Sequence, residues 1–209
     1  DEVQVAVRAA LAANSGLDLT YGRVRVTYTS GPGPLGSERG PGPMTLAVVV
    51  MPGKAWPPTT TIAVPPWARN ERSPLAGLKT TSYGENAVML AWAKERGFSE
   101  AVMSNLAGDL CEGTGSNVFV VIDDEIITPT LESGCLNGIT RQLVLEWTGA
   151  AEKDLPVQIL DTADEVFITS STRDVHTVVA VGDRTLAAGP VTQRVSAAFA
   201  ERSAADIDP

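Results

Sequence analysis

Histidine is nearly absent from these 209 residues, with His176 the only one, and cysteine occurs twice, as Cys111 and Cys135. That scarcity excludes Cys-x-x-Cys zinc sites and histidine-rich metal centres. Two isolated thiols give no disulfide framework, so a reducing compartment, the cytoplasm, is expected. Long apolar runs are missing too. None approaches the roughly 20 residues that span a bilayer, and no signal peptide opens the chain. Positive charge is scarce: 16 Lys and Arg stand against 25 Asp and Glu, for a net charge of -9. Nucleic-acid phosphates need the opposite balance, so DNA and RNA are poor partners. Apolar side chains, at 44%, are plentiful enough to bury a core. The composition describes a soluble, acidic protein that handles something small.

Proline is present but unevenly spread, with 10 of the 14 between Pro32 and Pro74. Proline neither donates to a sheet ladder nor sits inside a helix, so this stretch reads as loops and short edge strands. We take residues 1–67 as a small leading α/β unit, 68–74 as a linker and 75–209 as a larger unit. In the leading unit Glu2 to Ala13 reads as a helix, and Arg23 to Tyr28 alternates as a strand with Arg23 and Arg25 on one side. Thr45 to Val50 is a second strand. Beyond the linker, Ala76 to Thr80 reads as a short strand, followed by a Ser82/Glu85 capping box and a helix over the apolar run Ala87 to Ala93. Glu100–Asn105, Leu110–Glu112, Asn117–Ile122 and Glu125–Thr128 read as a meander. Asn137 caps a helix through Trp147, strands follow at Glu165–Thr169 and Thr177–Val181, and a helix runs from Val191 to about Arg202. Runs of strands with interleaved helices indicate α+β rather than a doubly wound sheet.

Two familiar patterns fail on context. Gly31-Pro32-Gly33-Pro34-Leu35-Gly36 fits G-x-G-x-x-G, but Pro and Gly continue through Pro43 and no helix follows to hold a pyrophosphate. A Ser-His-Asp triad would need His176, yet there is no G-x-S-x-G elbow, and the imidazole reads as one at a strand edge. Lysine says more, because there are four: Lys54, Lys79, Lys94 and Lys153. Lys79 follows an apolar strand and precedes a capped helix, where burial and the helix dipole would lower its pKa and suit it to Schiff-base chemistry. The plainer alternative is a surface lysine whose stem lies along apolar neighbours. Three clusters favour the chemical reading. Glu112 is an acid beside the small residues Gly113 to Ser116, which allow close approach of a ring. Gly138-Ile139-Thr140-Arg141 opens a helix with free N–H groups and a hydroxyl, which suits a phosphate. Thr169-Ser170-Ser171-Thr172 ends a strand with four hydroxyls in a row. An amine, a carboxylate and two phosphate-binding turns are what pyridoxal phosphate (PLP) requires.

The series Gly77-Leu78-Lys79-Thr80-Thr81-Ser82-Tyr83-Gly84-Glu85-Asn86, Glu112-Gly113-Thr114-Gly115-Ser116-Asn117-Val118-Phe119, Leu136-Asn137-Gly138-Ile139-Thr140-Arg141 and Ala163 to Ser171 resembles the class IV aminotransferase family of fold-type IV PLP enzymes. The family includes aminodeoxychorismate lyase and the branched-chain and D-amino-acid aminotransferases. The resemblance implies a fold with a small N-terminal and a larger C-terminal α/β unit, the latter with a barrel-like sheet that binds the cofactor. It implies that Lys79 carries PLP and moves the proton on the substrate, and that Glu112 pairs with the pyridine nitrogen. By the same resemblance Ile139, Thr140, Ser170 and Ser171 hold the phosphate, and Arg25, Tyr83 and Thr114 are candidates for substrate contact. It also implies a homodimer.

Relative to the family pattern, the arginine of a His-x-x-Arg-Leu-like stretch has no counterpart before Glu2. The chain is therefore expected to be a piece lacking the family's N-terminal segment, with a weaker hold on PLP. Within the family, Ser82-Tyr83-Gly84 stands where branched-chain enzymes carry Gly-Asn-Tyr after the lysine. Leu136–Thr140 and Ala163–Phe167 look more like lyase sequences than like those of D-amino-acid aminotransferases. The favoured expectation is 4-amino-4-deoxychorismate lyase, with an aminotransferase as the alternative. A non-catalytic truncated relic is the alternative of another class.

Overall fold

Apolar alternation along the strands after residue 100 dictates a sheet with two covered faces, and the computed structural model, described for residues 1–206, has that arrangement. The chain divides into two compact units, Asp1–Trp56 and the remainder from Pro57. The leading unit holds helix α1 (Glu2–Ala13) and strands β1 (Arg23–Thr29) and β2 (Thr45–Met51). Asp1 caps α1 by accepting a hydrogen bond from the Val3 N–H. β1 and β2 form an antiparallel pair in which Val24, Val26 and Tyr28 face Val50, Val48 and Leu46. Arg25 lies opposite Val49 and is exposed.

The second unit contains β3 (Thr59–Ala63), α2 (Gly84–Glu95), β4 (Glu100–Ser104), β5 (Leu110–Gly113), β6 (Asn117–Ile122) and β7 (Glu125–Thr128). There follow α3 (Ile139–Thr148), β8 (Ala151–Glu152), β9 (Glu165–Ser170), β10 (Asp174–Val181), β11 (Arg184–Thr185) and α4 (Pro190–Ala205). Its sheet runs β5-β4-β3-β10-β9-β6-β7-β8, with β11 on β10. The β10–β3, β3–β4 and β7–β8 pairs are parallel and the others antiparallel, giving the curled half-barrel expected from the motif series. Among the described residues no helix is long and apolar enough to cross a membrane.

Period-two alternation divides the core cleanly. Val118, Val120, Val166 and Ile168 point to one face and join Ile62, Val102 and Val178. Phe119, Val121 and Phe167 point to the other, where Val144 of α3 and Val195 and Phe199 of α4 cover them. Phe119 and Phe167 stack at 4.7 Å, and burying each ring contributes on the order of 2–3 kcal/mol. Glu165 ties α4 to the sheet by accepting from the N–H groups of Val191 (3.0 Å) and Thr192 (2.6 Å), the start of a helix otherwise short of acceptors.

The structure corrects several sequence expectations. The division between units falls at Pro57, ahead of the 68–74 linker, because β3 lies within the proline-rich stretch and pairs with β10 and β4. The strands from Glu100 to Thr128 are two hairpins rather than one meander: β6 leaves β5 and pairs with β9 and β7. Residues 76–80 are turn and coil, not strand, with Gly77 at φ +71°. α2 begins at Gly84 after an uncapped Tyr83, so Ser82 and Glu85 form no capping box. α3 is preceded by Gly138 rather than capped by Asn137. β10 begins at Asp174 rather than Thr177, so His176, expected at a strand edge, is its third residue.

Candidate active site

Four stretches that are distant in sequence converge on one cavity of about 750 Å³ in the second unit, lined from residues 69 to 172. The first is the strap that carries Arg69 and Lys79. The Arg69 N–H donates to the Ser104 carbonyl at 2.8 Å and the Leu106 N–H to Glu71 Oε2 at 2.9 Å. The Leu106 contact holds the Glu71 carboxyl below its usual pKa. Gly77 donates to the Gly134 carbonyl at 3.3 Å from a left-handed conformation that suits glycine. The strap then delivers Lys79, whose Nζ donates to Tyr83 Oη at 3.2 Å. Lys79 is exposed, so the burial expected from a strand position is not there. The amine faces an open cavity because its backbone is coil rather than strand.

Glu112, on β5, is buried, and both its carboxylate oxygens are engaged. Arg69 Nη2 donates to Oε1 at 2.8 Å and the Leu136 N–H to Oε2 at 3.0 Å. Burial pushes the carboxyl pKa up, while the Leu136 N–H, Arg69 and Lys79 each pull it down. Arg69 was invisible to sequence reasoning: it lies 43 residues from Glu112, and long-range contacts such as the bridge of residue 69 to Asn105 bring it there.

The turn after Glu112 is fixed on both sides. Asn86 Nδ2 donates to the Thr114 carbonyl at 2.8 Å, and the Thr114 N–H donates to buried Glu100 at 3.2 Å. The Thr114 hydroxyl also donates to Glu100, which leaves its oxygen as an acceptor toward the cavity that Thr114 lines. A Cβ on Gly113 would collide with Ser116 Oγ.

The remaining two stretches supply hydrogen-bond donors. At the start of α3, Gly138 packs so tightly on Asn117 Oδ1 that a Cβ would not fit. The first helical bond runs from Gln142 to the Gly138 carbonyl, which leaves the N–H groups of Ile139 and Thr140 without intrahelical acceptors. Thr169 pairs with Asn117 across β9 and β6, on the face that α3 covers. Its hydroxyl is buried and has no protein partner, and Thr169 is among the residues that line the cavity. Ser170 and Ser171 also line the cavity. An orphaned hydroxyl beside a helix N-terminus fits a bound phosphate, and a buried carboxylate steadied by an arginine fits a pyridine nitrogen. The residues present therefore fit PLP. Of the expected site residues, Lys79, Tyr83, Glu112, Thr114, Ile139, Thr140, Ser170 and Ser171 share this cavity; Arg25 belongs to the leading unit.

A profile of the amino-transferase class IV family matches residues 1–181. The chain belongs to that family. Among its relatives, a protein from Synechocystis sp., provisionally named a branched-chain-amino-acid aminotransferase, is 37% identical over 139 residues. That alignment covers 62% of this chain and 45% of the Synechocystis protein, so the chain spans under half of its relative's length. An aminotransferase from Brucella abortus, solved bound to the cofactor PLP, is 28% identical with a TM-score of 0.79, covering 88% of this chain and 69% of that one. A Legionella pneumophila protein provisionally named a 4-amino-4-deoxychorismate lyase superposes with a TM-score of 0.85 over 92% of this chain and 73% of that one. At 22% identity that last likeness shows the fold.

Proposed function

We propose that the protein containing this chain is a PLP-dependent enzyme acting at the amine-bearing carbon of a small substrate. The finer reading is elimination of pyruvate from 4-amino-4-deoxychorismate to give 4-aminobenzoate. The observation that supports the class is the meeting of an accessible amine, Lys79, a buried carboxylate, Glu112, and the neutral donors around α3 in one cavity. PLP, when bound, supplies an electron sink that amino-acid side chains lack. Arg69 and the Leu136 N–H hold Glu112 so that its carboxylate keeps a proton on the pyridine nitrogen. The N–H groups of Ile139 and Thr140, with Thr169, Ser170 and Ser171, anchor the phosphate end. The Lys79 amine takes the proton from the amine-bearing carbon, and the Tyr83 hydroxyl accepts from that amine and aims it. In the lyase reading, loss of this proton and breakage of the neighbouring ring C–O bond release enolpyruvate and leave an aromatic ring, and the enolpyruvate takes up a proton to become pyruvate.

Two features support the lyase. Ser82-Tyr83-Gly84 replaces the Gly-Asn-Tyr of branched-chain enzymes, and the cavity's thirty lining residues include four leucine or isoleucine side chains, few for gripping an aliphatic substrate. The 37% identity to the Synechocystis protein supports the second reading, amino transfer. The test uses the full-length protein with PLP. Release of 4-aminobenzoate and pyruvate in equal amounts supports the lyase. Glutamate formed from 2-oxoglutarate with leucine or D-alanine, and no 4-aminobenzoate, establishes amino transfer instead. A protein that develops no visible absorption with PLP is the relic. We also propose a homodimer, for which light scattering on the full-length protein must give twice the chain mass.

A further inference from the structure

Behind the cavity lies a buried ion pair that does not line it. Glu100, the first residue of β4, and Arg173, the last residue of the turn between β9 and β10, keep side chains only 4% and 6% exposed, with Oε2 3.7 Å from Nη2. Burying two charges is costly unless each finds partners, and here both do. Glu100 Oε1 accepts from the Ala101 N–H (3.1 Å), the Thr114 N–H (3.2 Å) and the Thr114 hydroxyl, and Oε2 lies 3.5 Å from Ser116 Oγ. Arg173 Nη1 donates to Thr60 Oγ1 (3.4 Å) and to His176 Nδ1 (3.1 Å). The other imidazole nitrogen, Nε2, donates to the Pro57 carbonyl at 2.8 Å, which leaves Nδ1 as an acceptor.

Each member of the pair is attached to a different wall of the cavity. Glu100 holds the Thr114–Ser116 turn that follows Glu112. Arg173 closes a three-residue hairpin loop in which its own N–H bonds the Ser170 carbonyl at 3.0 Å and Asp174 takes φ +51°. Ser171 and Thr172 of that loop line the cavity, while the guanidinium turns inward.

We propose that Glu100 and Arg173 are positioning residues: their buried pair couples the turn beside Glu112 to the turn at Ser170–Thr172 and fixes the spacing between the ring-nitrogen side and the phosphate side of the site. The proposal rests on the PLP reading for its purpose, but the coupling itself is a property of the cofactor-free protein. Neither residue touches the reacting atoms.

Amide hydrogen exchange on the full-length, cofactor-free protein tests the coupling. In Arg173→Met, exchange at Gly113–Ser116, on the far side of the pair, rises about tenfold or more, and in Glu100→Gln it rises at Ser171–Arg173, while β6 and β7 keep wild-type protection. Unchanged exchange across the pair overturns the proposal whatever PLP does. Because either single variant leaves a buried group without its partner and can fail to fold, the Glu100→Gln/Arg173→Met double variant is measured as well. It regains most of the wild-type melting temperature yet binds PLP roughly tenfold or more weakly, with a shifted visible band, because displacement at a positioned site carries penalties of that order. Wild-type PLP affinity and spectrum in the double variant would reduce the pair to a structural role and overturn the proposal. Coupled exchange in a protein that never binds PLP would sink the functional reading and leave the coupling standing.

Discussion

The two units of this chain bury their apolar residues very differently. In the leading unit α1 buries none of its residues, and Val50 is the one apolar side chain of that unit in the buried core. Tyr28 is 50% exposed, whereas Phe119 and Phe167 are 0% exposed. A two-stranded ribbon with one helix cannot exclude enough water to sustain itself, while a nine-stranded sheet covered by α3 and α4 can. The chemistry-bearing groups stand on the second kind of structure. Glu112, Thr169 and the start of α3 are held by strand ends and a helix whose positions the core over-determines, and Lys79 sits on a strap pinned to that same sheet.

The largest expected effect lies in this contrast. Phe119→Ala should cost roughly 3–5 kcal/mol in urea unfolding of the second unit, because it removes a stacked ring from a packed core. Tyr28→Ala should cost below about 1 kcal/mol, and a loss as large as that of Phe119 would break the comparison. Next comes Thr169→Val. Removing an unpartnered buried hydroxyl should raise the stability of the cofactor-free protein by about 1 kcal/mol and weaken PLP binding severalfold. Calorimetry and a spectroscopic titration read the two halves separately, and unchanged affinity would detach Thr169 from the phosphate.

His176 should give a smaller, pH-dependent signature. Burial, with the Arg173 charge adding to it, lowers its pKa below the ordinary value, so the unfolded chain takes up a proton first as the solution is acidified. The contribution is whole above about pH 6.5 and is lost as pH falls towards the folded pKa. Melting curves of wild type should therefore slide downward across that window and those of His176→Gln should not; parallel curves would remove the imidazole from the account. Smallest of all, Lys153→Met breaks the half-exposed pair with Glu125 at 2.7 Å and should change stability by under about 0.5 kcal/mol.

Local pattern reached as far as local forces do. Asn117–Ile122 and Glu125–Thr128 were legible to the residue because alternation and the Asp123-Asp124 turn, with φ of +48° and +64°, specify a tight hairpin by themselves. β3 was hidden by flanking prolines and is a strand because of parallel pairing with β10 and β4, which no neighbouring residue announces. The motif series gave Lys79, Glu112 and Thr140 as residues of one cavity but misjudged how two of them are presented. Lys79 is exposed in coil, and the helix that carries Thr140 begins after Gly138 rather than at an asparagine cap. Arg69, Glu100 and Arg173 went unread for one reason: each takes its meaning from a partner at least 43 residues away. A charged residue whose partner is distant looks, in sequence, like any solvated one.

The three-residue loop at Ser171, Thr172 and Arg173 has a consequence for how this protein can diverge. Hairpin tips ordinarily accept insertions and deletions, since little depends on their length. Here Ser171 and Thr172 line the cavity while the guanidinium turns inward, so adding one residue would turn Arg173 outward and leave buried Glu100 without its cationic partner. A surface loop of this kind should be closed to length change while remaining open to substitution at Thr172.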